Sequence, residues 1–231
     1  MRHLEGSLAA VSLACAALFL ALQAGPVTPF SLATKTLSVS TLALIAWRSP
    51  GPLAGAPLAM PLLASSLGDV ALEWDRKGWF VAGLGAFLVA HLLYIALFRR
   101  AWPQATRPDE RRGAARLVRF GATIVVLACG IGLTAHLWPN LADLRVPVTA
   151  YIAVLLAMAA AALRAEVGNP WVAVGAVVFV ASDSMIGLDT FRGPVAGSGA
   201  AIWIMYYLAQ VAITYGCLTA RLDTAGPRLG A

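Results

Sequence analysis

Long apolar runs recur along the chain, and short polar segments separate them. Each run approaches the roughly 20 residues with which an α-helix crosses the hydrocarbon core of a bilayer. The pattern predicts spanning helices at residues 6–23, 31–47, 53–72, 79–98, 117–137, 148–163, 171–188 and 200–218. We therefore expect an all-α membrane protein, a bundle of eight transmembrane helices that forms a single transmembrane domain over residues 1–231.

The segments between the apolar runs have the composition of surface turns. The sequences RSPGP at 48–52 and GNP at 168–170 combine proline with glycine, which favours a turn over a helix. The segment 99–116 is the one long polar stretch between two spans, and we expect it to be a loop.

Composition agrees with a membrane setting. Of the 231 residues, 60% are hydrophobic and 12% are charged, and the mean hydropathy is +0.78. A soluble domain carries about 25% charged residues, so this chain has too little polar surface to cover a soluble globule. Cys15, Cys129 and Cys217 all lie in apolar runs without metal-binding spacing, and we interpret them as small hydrophobic residues.

The basic residues predict the orientation of the bundle. With eight spans, one side of the membrane collects twelve of them: Arg2, Arg48, the seven arginines within 99–119, Arg164, Arg221 and Arg228. The other side collects five: Lys35, Arg76, Lys77, Arg145 and Arg192. Cytoplasmic loops are enriched in Lys and Arg, so we expect both termini to be cytoplasmic in a multi-pass protein of the bacterial cytoplasmic (inner) membrane. The arginine-rich segment lacks aromatic interleaving, which argues against nucleic-acid binding.

The first apolar run permits a second interpretation. Arg2, an apolar core and the sequence ALQAG resemble a secretory signal peptide, whose cleavage would leave seven spans in the same orientation. The apolar run continues without a clear cleavage site, which favours a retained first helix.

Several ionisable and polar residues lie inside the predicted spans, where a charged side chain costs about 2.5–3.5 kcal/mol on insertion scales and usually marks a functional site. Asp69 and Asp183 are the leading candidates, because neither has an adjacent basic residue and each follows a small residue. The other candidates are Lys35, Glu73, His91, Tyr94, Tyr206, Tyr207 and Gln210. Most of them fall in the outer half of their spans. The sequence therefore predicts one polar pocket that opens outward, with His91 near its floor.

Structural interpretations stay open for some of these residues. Glu73 could pair with Arg76 or Lys77 at the membrane surface, since they follow it closely in the sequence. Lys35 could extend its ammonium group outward along its apolar stem. His136, at the end of its span, is expected at the interface.

Four sequence blocks resemble the signatures of a known membrane family. The blocks are SSLGDVALEW, GLGAFLVAHLLYIALF, ASDSMIGLDTF and IMYYLAQVAI. In this order they resemble the YhhN-type, lysoplasmalogenase-like integral membrane proteins, and the resemblance covers essentially the whole chain. The family commonly has a Lys-Pro pair where this chain has Lys35 and Thr36. Because the lysine is kept, we interpret the difference as a less rigid start of the helix and not as a loss of function.

The resemblance implies a hydrolase that cleaves the vinyl ether bond of lysoplasmalogens. The products are a fatty aldehyde and a glycerophospho-alcohol, and the implied partners are the lysophospholipid substrate and the bilayer, with no cofactor. Such hydrolysis starts with proton transfer to the β-carbon of the vinyl ether and passes through an oxocarbenium ion. It needs a protonated acid, a negative group that stabilises the cation, and a positioned water molecule.

Paired carboxyl groups divide such tasks in glycosidases, and Asp69 and Asp183 are expected to face one another across spans three and seven in the same way. One would donate the proton, and the other would stabilise the oxocarbenium ion and activate water. The sequence does not assign these two roles. Lys35 would keep one carboxylate ionised or bind the lipid phosphate, and the remaining polar candidates would orient substrate and water.

The sequence leaves two other classes open. A zinc-dependent lipid hydrolase needs several converging histidines and acids, whereas the spans hold only His91 and His136, at different depths, so we expect no metal. A membrane lipid transporter, or a lipid-binding protein without hydrolase activity, would also bury acids in its spans. The two four-span halves show no convincing internal repeat of the kind that many transporters have. The oligomeric state is not indicated.

Overall fold

The computed structural model describes residues 2–74, 78–102 and 110–222, and within them the chain is helical, with turns and no strand. The eight α-helices are α1 (Arg2–Leu22), α2 (Pro29–Arg48), α3 (Ala56–Trp74), α4 (Phe80–Arg99), α5 (Glu110–Leu137), α6 (Arg145–Arg164), α7 (Trp171–Phe191) and α8 (Ser198–Leu218). Two short 3-10 helices, Trp138–Asn140 and Ala142–Leu144, lead from α5 into α6. Each predicted span coincides with one of the α-helices, so the all-helical class is confirmed.

One boundary prediction is wrong. The segment 99–116 is not a continuous loop, because α5 begins at Glu110 and includes the second half of that segment. Arginine, alanine and glutamate are good helix formers, and residues 113–118 are exposed, so this first part of α5 carries no apolar stripe to reveal it. Residues 103–109 lie outside the described part of the chain.

Seven helices in the described ranges are long and apolar enough to cross a membrane. The exception is α3, which contains Asp69 and Glu73 as well as Pro61. Buried serines and a buried glycine add to its polar character, since Ser65, Ser66 and Gly68 are all inside the bundle. The helix that carries Asp69 and Glu73 is packed against neighbours on several sides, with α2, α4 and α8 in contact with it.

Consecutive helices pack side by side, except that α4 packs against α6. The contact between α7 and α8 is the most extensive, and glycines explain how close it is. A Cβ atom on Gly175 would lie 2.8 Å from the Ala209 carbonyl oxygen, and one on Gly216 would lie 2.7 Å from the Val172 backbone nitrogen. Small residues at such positions let helix backbones approach in membranes. As α8 also contacts α1, α2 and α3, it ties the two ends of the chain together.

The peripheral helices α1 and α5 present apolar side chains outward. Only 6% of the spanning window of α5 is buried within the bundle. Its exposed residues include Phe120, Ile124, Val125 and Ile131. A helix that is hydrophobic on its exposed face is stable when lipid covers that face, so this face agrees with a bilayer setting.

Several of the residues predicted to be cytoplasmic meet at one end of the bundle. Arg99 at the end of α4 and Arg164 at the end of α6 both stack on the Trp102 ring, at 5.6 and 4.6 Å from its centroid. Arg116 of α5 lies 3.2 Å from a carboxylate oxygen of Glu166. The C-termini of α4 and α6 and the N-terminal part of α5 therefore share one end.

The start of α2 is fixed by a capping box, which brings Lys35 into the bundle. The Thr28 hydroxyl accepts a hydrogen bond from the Ser31 backbone N–H at 3.0 Å, and the Ser31 hydroxyl accepts one from the Thr28 backbone N–H at 2.9 Å. Pro29 occupies the first turn, where its missing N–H costs nothing. Lys35 therefore lies in the second turn of a well-defined helix.

Candidate active site

Lys35 forms the cationic centre of a cluster between α2 and α3. Its ammonium nitrogen is 2.9 Å from an oxygen of Glu73 and 3.8 Å from an oxygen of Asp69. The rings of Phe19 and Trp203 lie 5.2 and 5.7 Å from the same nitrogen. The lysine side chain is only 13% exposed, so it is directed into the bundle and not toward the membrane surface. The alternative partners proposed for Glu73, Arg76 and Lys77, lie outside the described residues.

Asp69 is held from the opposite side by α8. The Tyr206 hydroxyl donates a hydrogen bond of 2.7 Å to the second carboxyl oxygen of Asp69. Gly68 makes room for α4 at this level, because a Cβ there would lie 2.5 Å from the Phe87 ring. Asp69 is thus buried with an ammonium group on one oxygen and a hydroxyl donor on the other. These surroundings stabilise a negative charge.

Asp183 has a different partner. Its carboxyl group accepts a short hydrogen bond from the Tyr151 hydroxyl, which comes from α6. No described lysine or arginine forms an ion pair with Asp183. The sequence analysis did not include Tyr151 among the site residues. Its signal was a tyrosine in a span made otherwise of alanine, valine, leucine and other small or apolar residues, since a buried tyrosine hydroxyl usually has a hydrogen-bond partner.

Aromatic rings connect the two acidic positions. Tyr206 contacts Phe87 and Phe179 at centroid distances of 5.8 and 5.4 Å. Phe179 lies 4.9 Å from His91, which in turn lies 5.4 Å from Tyr151. Asp69 and Asp183 each have their own tyrosine, and the rings of Phe179 and His91 lie between these two tyrosines. The structure brings the two acids to one region without a shared hydrogen-bond partner.

His91 is enclosed by this aromatic cluster, whereas the sequence predicted it near the bottom of an open polar pocket. It is fully buried, and neither ring nitrogen has a hydrogen-bond partner among the described residues. Phe87, Phe179 and Tyr151 surround it. His91 contacts the Tyr151 ring, and the Tyr151 hydroxyl in turn donates to the Asp183 carboxyl group.

The other predicted polar residues form two separate contacts of α8. The Tyr94 hydroxyl donates to the Gln210 side-chain oxygen at 2.6 Å, which joins α4 to α8. The Tyr207 hydroxyl lies 2.9 Å from the Ser12 hydroxyl, which donates to the Ser38 carbonyl oxygen. Tyr207 therefore belongs to a junction of α1, α2 and α8, and within the described residues it has no hydrogen bond to either acid.

An apolar cavity of about 720 Å³, including its open mouth, lies between α4, α5, α6 and α7. Among the described residues that line it, Asp183 is the only acidic or basic one, and Tyr151 also contributes to the lining. Asp69, Lys35 and Tyr206 do not line this cavity. Ligand pockets are mostly apolar with a few polar groups, and the lining of this cavity has that composition.

The described residues contain no group of three or more His, Cys, Asp and Glu side chains that could hold a metal ion. His136, the second histidine considered in a span, lies instead beside Arg192. The Nε of Arg192 is 3.1 Å from His136 Nε2, and both side chains are exposed at the end of the bundle.

The fold and the site define an all-helical, multi-pass membrane protein with two buried acids, one of them in the wall of an apolar cavity. The sequence model of the YhhN family matches residues 30–217, which is most of the chain. The chain belongs to the YhhN family.

Curated relatives of the chain are named lysoplasmalogenases. The lysoplasmalogenase of Mycobacterium tuberculosis (strain CDC 1551 / Oshkosh) is 40% identical over 162 residues, which cover 69% of this chain and 59% of the relative. Lysoplasmalogenase TMEM86B of Homo sapiens is 32% identical over 190 residues, 82% of this chain and 76% of the relative. Lysoplasmalogenase TMEM86A of Bos taurus is 34% identical over 178 residues, 73% of this chain and 68% of the relative. The chain thus spans less than two thirds of the mycobacterial relative. No solved structure matches it.

Proposed function

We propose that this protein is a lysoplasmalogenase, which hydrolyses the vinyl ether bond of alkenyl-glycerophospholipids to a fatty aldehyde and a glycerophospho-alcohol. The observation that carries the proposal is the contrast between two neighbouring buried acids. Asp69 is next to a lysine, whereas Asp183 lies in the wall of an apolar cavity without a cation. Environments that separate two carboxyl groups in this way indicate an acid and a charged partner. The names of the relatives support the same reaction.

Asp183 is the proton donor in this proposal. The apolar lining of the cavity provides a place for the hydrocarbon chain and brings the vinyl ether next to this carboxyl group. Tyr151 holds one carboxyl oxygen and leaves the other free to carry the proton. The proton goes to the β-carbon of the vinyl ether, and the α-carbon and the ether oxygen then share the positive charge.

Asp69 remains the anion that stabilises this charge. Lys35 and Tyr206 favour its ionised form and fix its orientation. Glu73 accepts the shorter contact from Lys35 and so balances much of the lysine charge. One water molecule adds to the α-carbon and releases a proton to a carboxylate. The resulting hemiacetal then breaks its bond to the ether oxygen, which gives the aldehyde and the alcohol.

The remaining predicted residues support the site in different ways. His91 packs between Phe179 and Tyr151, and so it supports the tyrosine that donates to Asp183. Tyr94 and Gln210 hold α4 against α8, and Tyr207 holds α1 and α2 against α8. We therefore propose positioning roles for these four residues instead of direct substrate contact.

We also propose that all eight helices span the membrane, with both termini in the cytoplasm of a bacterial cell and the chain in its inner membrane. The packing of α3 among α2, α4 and α8 supports an eighth span, because those three neighbours are all apolar enough to cross. The clustering of Arg99, Arg116 and Arg164 at one end supports the orientation, since cytoplasmic ends are enriched in arginine.

The proposal is tested by aldehyde release from a 1-alkenyl lysophospholipid with purified protein. Asp183→Asn and Asp69→Asn should each reduce kcat by about 100-fold or more, because proton donation and charge stabilisation contribute at least that much. Asp143→Asn is the matched control, as this aspartate is exposed in a 3-10 helix. A saturated 1-alkyl lipid should release nothing.

Two results would contradict the proposal. Near-normal turnover of either Asp69→Asn or Asp183→Asn would remove that residue from the mechanism, and absence of release from every alkenyl lipid would refute the activity. Added chelator should leave the rate unchanged, whereas loss of the rate would indicate a metal-dependent hydrolase.

A further inference from the structure

A lysophospholipid carries a phosphate group, and the cluster around Lys35 is poorly suited to bind it. Lys35 already contacts two carboxylates, at 2.9 and 3.8 Å, and two aromatic rings cover it. It does not line the cavity that holds Asp183. If the proposed function is correct, the cation for the phosphate has to lie elsewhere, near an end of that cavity.

One end of the cavity is next to two arginines. Phe191 and Leu137 line the cavity, and they are the chain neighbours of Arg192 and His136. The Arg192 guanidinium contacts both ring nitrogens of His136 at 3.1 Å. Arg145 begins α6 one turn before Val148, which also lines the cavity.

Both arginine side chains are held in place by a ring, and neither is paired with a carboxylate of the described residues. Arg145 stacks on the Trp138 ring at 5.5 Å from its centroid, and Arg192 contacts the His136 ring at 3.1 Å. Both are exposed, and neither forms an ion pair with a carboxylate in the described ranges. The nearby Asp189 accepts a hydrogen bond from the Val195 backbone N–H instead.

The spacing fits the substrate. Arg192 follows Asp183 by nine residues, which is about 13 Å along a helix at 1.5 Å per residue. Seven bonds separate the β-carbon of the vinyl ether from phosphorus, or about 8 Å at the roughly 1.2 Å per bond of an extended chain. The flexible arginine side chain covers the difference. A lipid that places its vinyl ether at Asp183 can thus place its phosphate at Arg192.

We propose that Arg192, oriented by His136, and Arg145 bind the phosphodiester of the lysophospholipid at the end of the cavity. The hydrocarbon chain then extends from Asp183 toward the opposite end, where Phe87, Leu155 and Val180 line the cavity. Guanidinium groups suit this role because they bind phosphate oxygens in pairs. This assignment rests on the proposed function for its substrate, and it makes the two arginines specificity residues.

The test measures binding of a saturated 1-alkyl lysophosphocholine, which cannot be hydrolysed, and of the matching 1-alkylglycerol, which has no phosphate. Calorimetric titration of the detergent-solubilised full chain gives Kd for each ligand. Arg192→Gln should raise Kd for the phosphate-bearing lipid about tenfold or more and leave Kd for the alkylglycerol within about twofold. Arg145→Gln should act in the same direction. Arg48→Gln, which changes an exposed arginine at the end of α2, should change neither Kd.

Other outcomes would overturn the assignment. Equal weakening of both ligands would indicate a general effect on the fold, and no change for the phosphate-bearing lipid would exclude these arginines. Equal competition by a diacyl phospholipid would show a site for bilayer headgroups and not for the substrate. Since the ligand is not hydrolysed, these results are independent of turnover, and failure of aldehyde release from an alkenyl lipid would refute only the proposed function.

Discussion

Tyr151 and Tyr206 each donate to one of the two acids, and this pairing gives a prediction at the level of single atoms. Tyr151→Phe and Tyr206→Phe each remove one hydroxyl and keep the aromatic contacts. We expect each to reduce kcat for the alkenyl lipid by about tenfold or more. Tyr206 stabilises the Asp69 carboxylate, and Tyr151 stabilises the carboxylate that forms on Asp183 as its proton leaves; hydrogen bonds to charged groups contribute about 1.5–3 kcal/mol. The measurement is steady-state aldehyde release together with the thermal midpoint of unfolding.

Tyr215→Phe provides the control for both tyrosine variants. Tyr215 is also on α8, but it is exposed and makes an edge-to-face contact with Trp171, far along the helix from Tyr206. The kcat of the Tyr215→Phe variant should equal that of the unchanged protein. If Tyr151→Phe lost no more activity than Tyr215→Phe, the hydroxyl would have no part in orienting Asp183.

The sequence indicated which polar residues lie inside the bundle and said less about their partners. Composition made buried acids conspicuous, so Asp69, Asp183 and Lys35 could be selected without a structure. Tyr151 could not be selected, because nothing local distinguishes a tyrosine that reaches an acid on another helix from one that packs. The roles of the two acids depend on tertiary surroundings, namely a lysine from α2 and a cavity between four helices.

At the level of helices, the contact between α7 and α8 supports a stability prediction. Gly175→Ala would place a methyl group 2.8 Å from the backbone of α8, which cannot move aside as a side chain would. We expect a loss of about 1–3 kcal/mol, the usual cost of overpacking, and a lower thermal midpoint in detergent. Gly85→Ala is the matched control, because a Cβ there meets nothing within 4 Å. A midpoint for Gly175→Ala as high as that of Gly85→Ala would contradict the packing argument.

Helix positions were predictable where an apolar run defined them. The run from Leu117 onward marked the membrane part of α5 but not its first turns. Those turns are polar and exposed, so periodicity could not separate them from a loop. Which helices pack together was not predictable either, since the glycines that allow close contact act only in combination with the opposite helix.

For the whole molecule, the number of spans can be tested with two cysteine variants. Pro52→Cys lies in the exposed turn between α2 and α3, and Asn140→Cys lies in the exposed connection between α5 and α6. With eight spans these positions are on opposite sides of the membrane, whereas they share a side if α3 does not cross. A membrane-impermeant maleimide applied to intact bacterial cells should label Asn140→Cys and not Pro52→Cys. Equal labelling of the two would refute the eight-span topology.

The contact between Lys35 and Glu73 also bears on how the chain is made. A single charge entering the bilayer costs about 2.5–3.5 kcal/mol, but α2 and α3 follow one another across a short turn and bring opposite charges together. In the proposed eight-span topology, the two helices can therefore enter the bilayer with this pair of charges neutralised. Asp69 meets Tyr206 only after the last helix has been synthesised. The contact between Asp69 and Tyr206 therefore forms only once α8 has been made and has packed into the bundle.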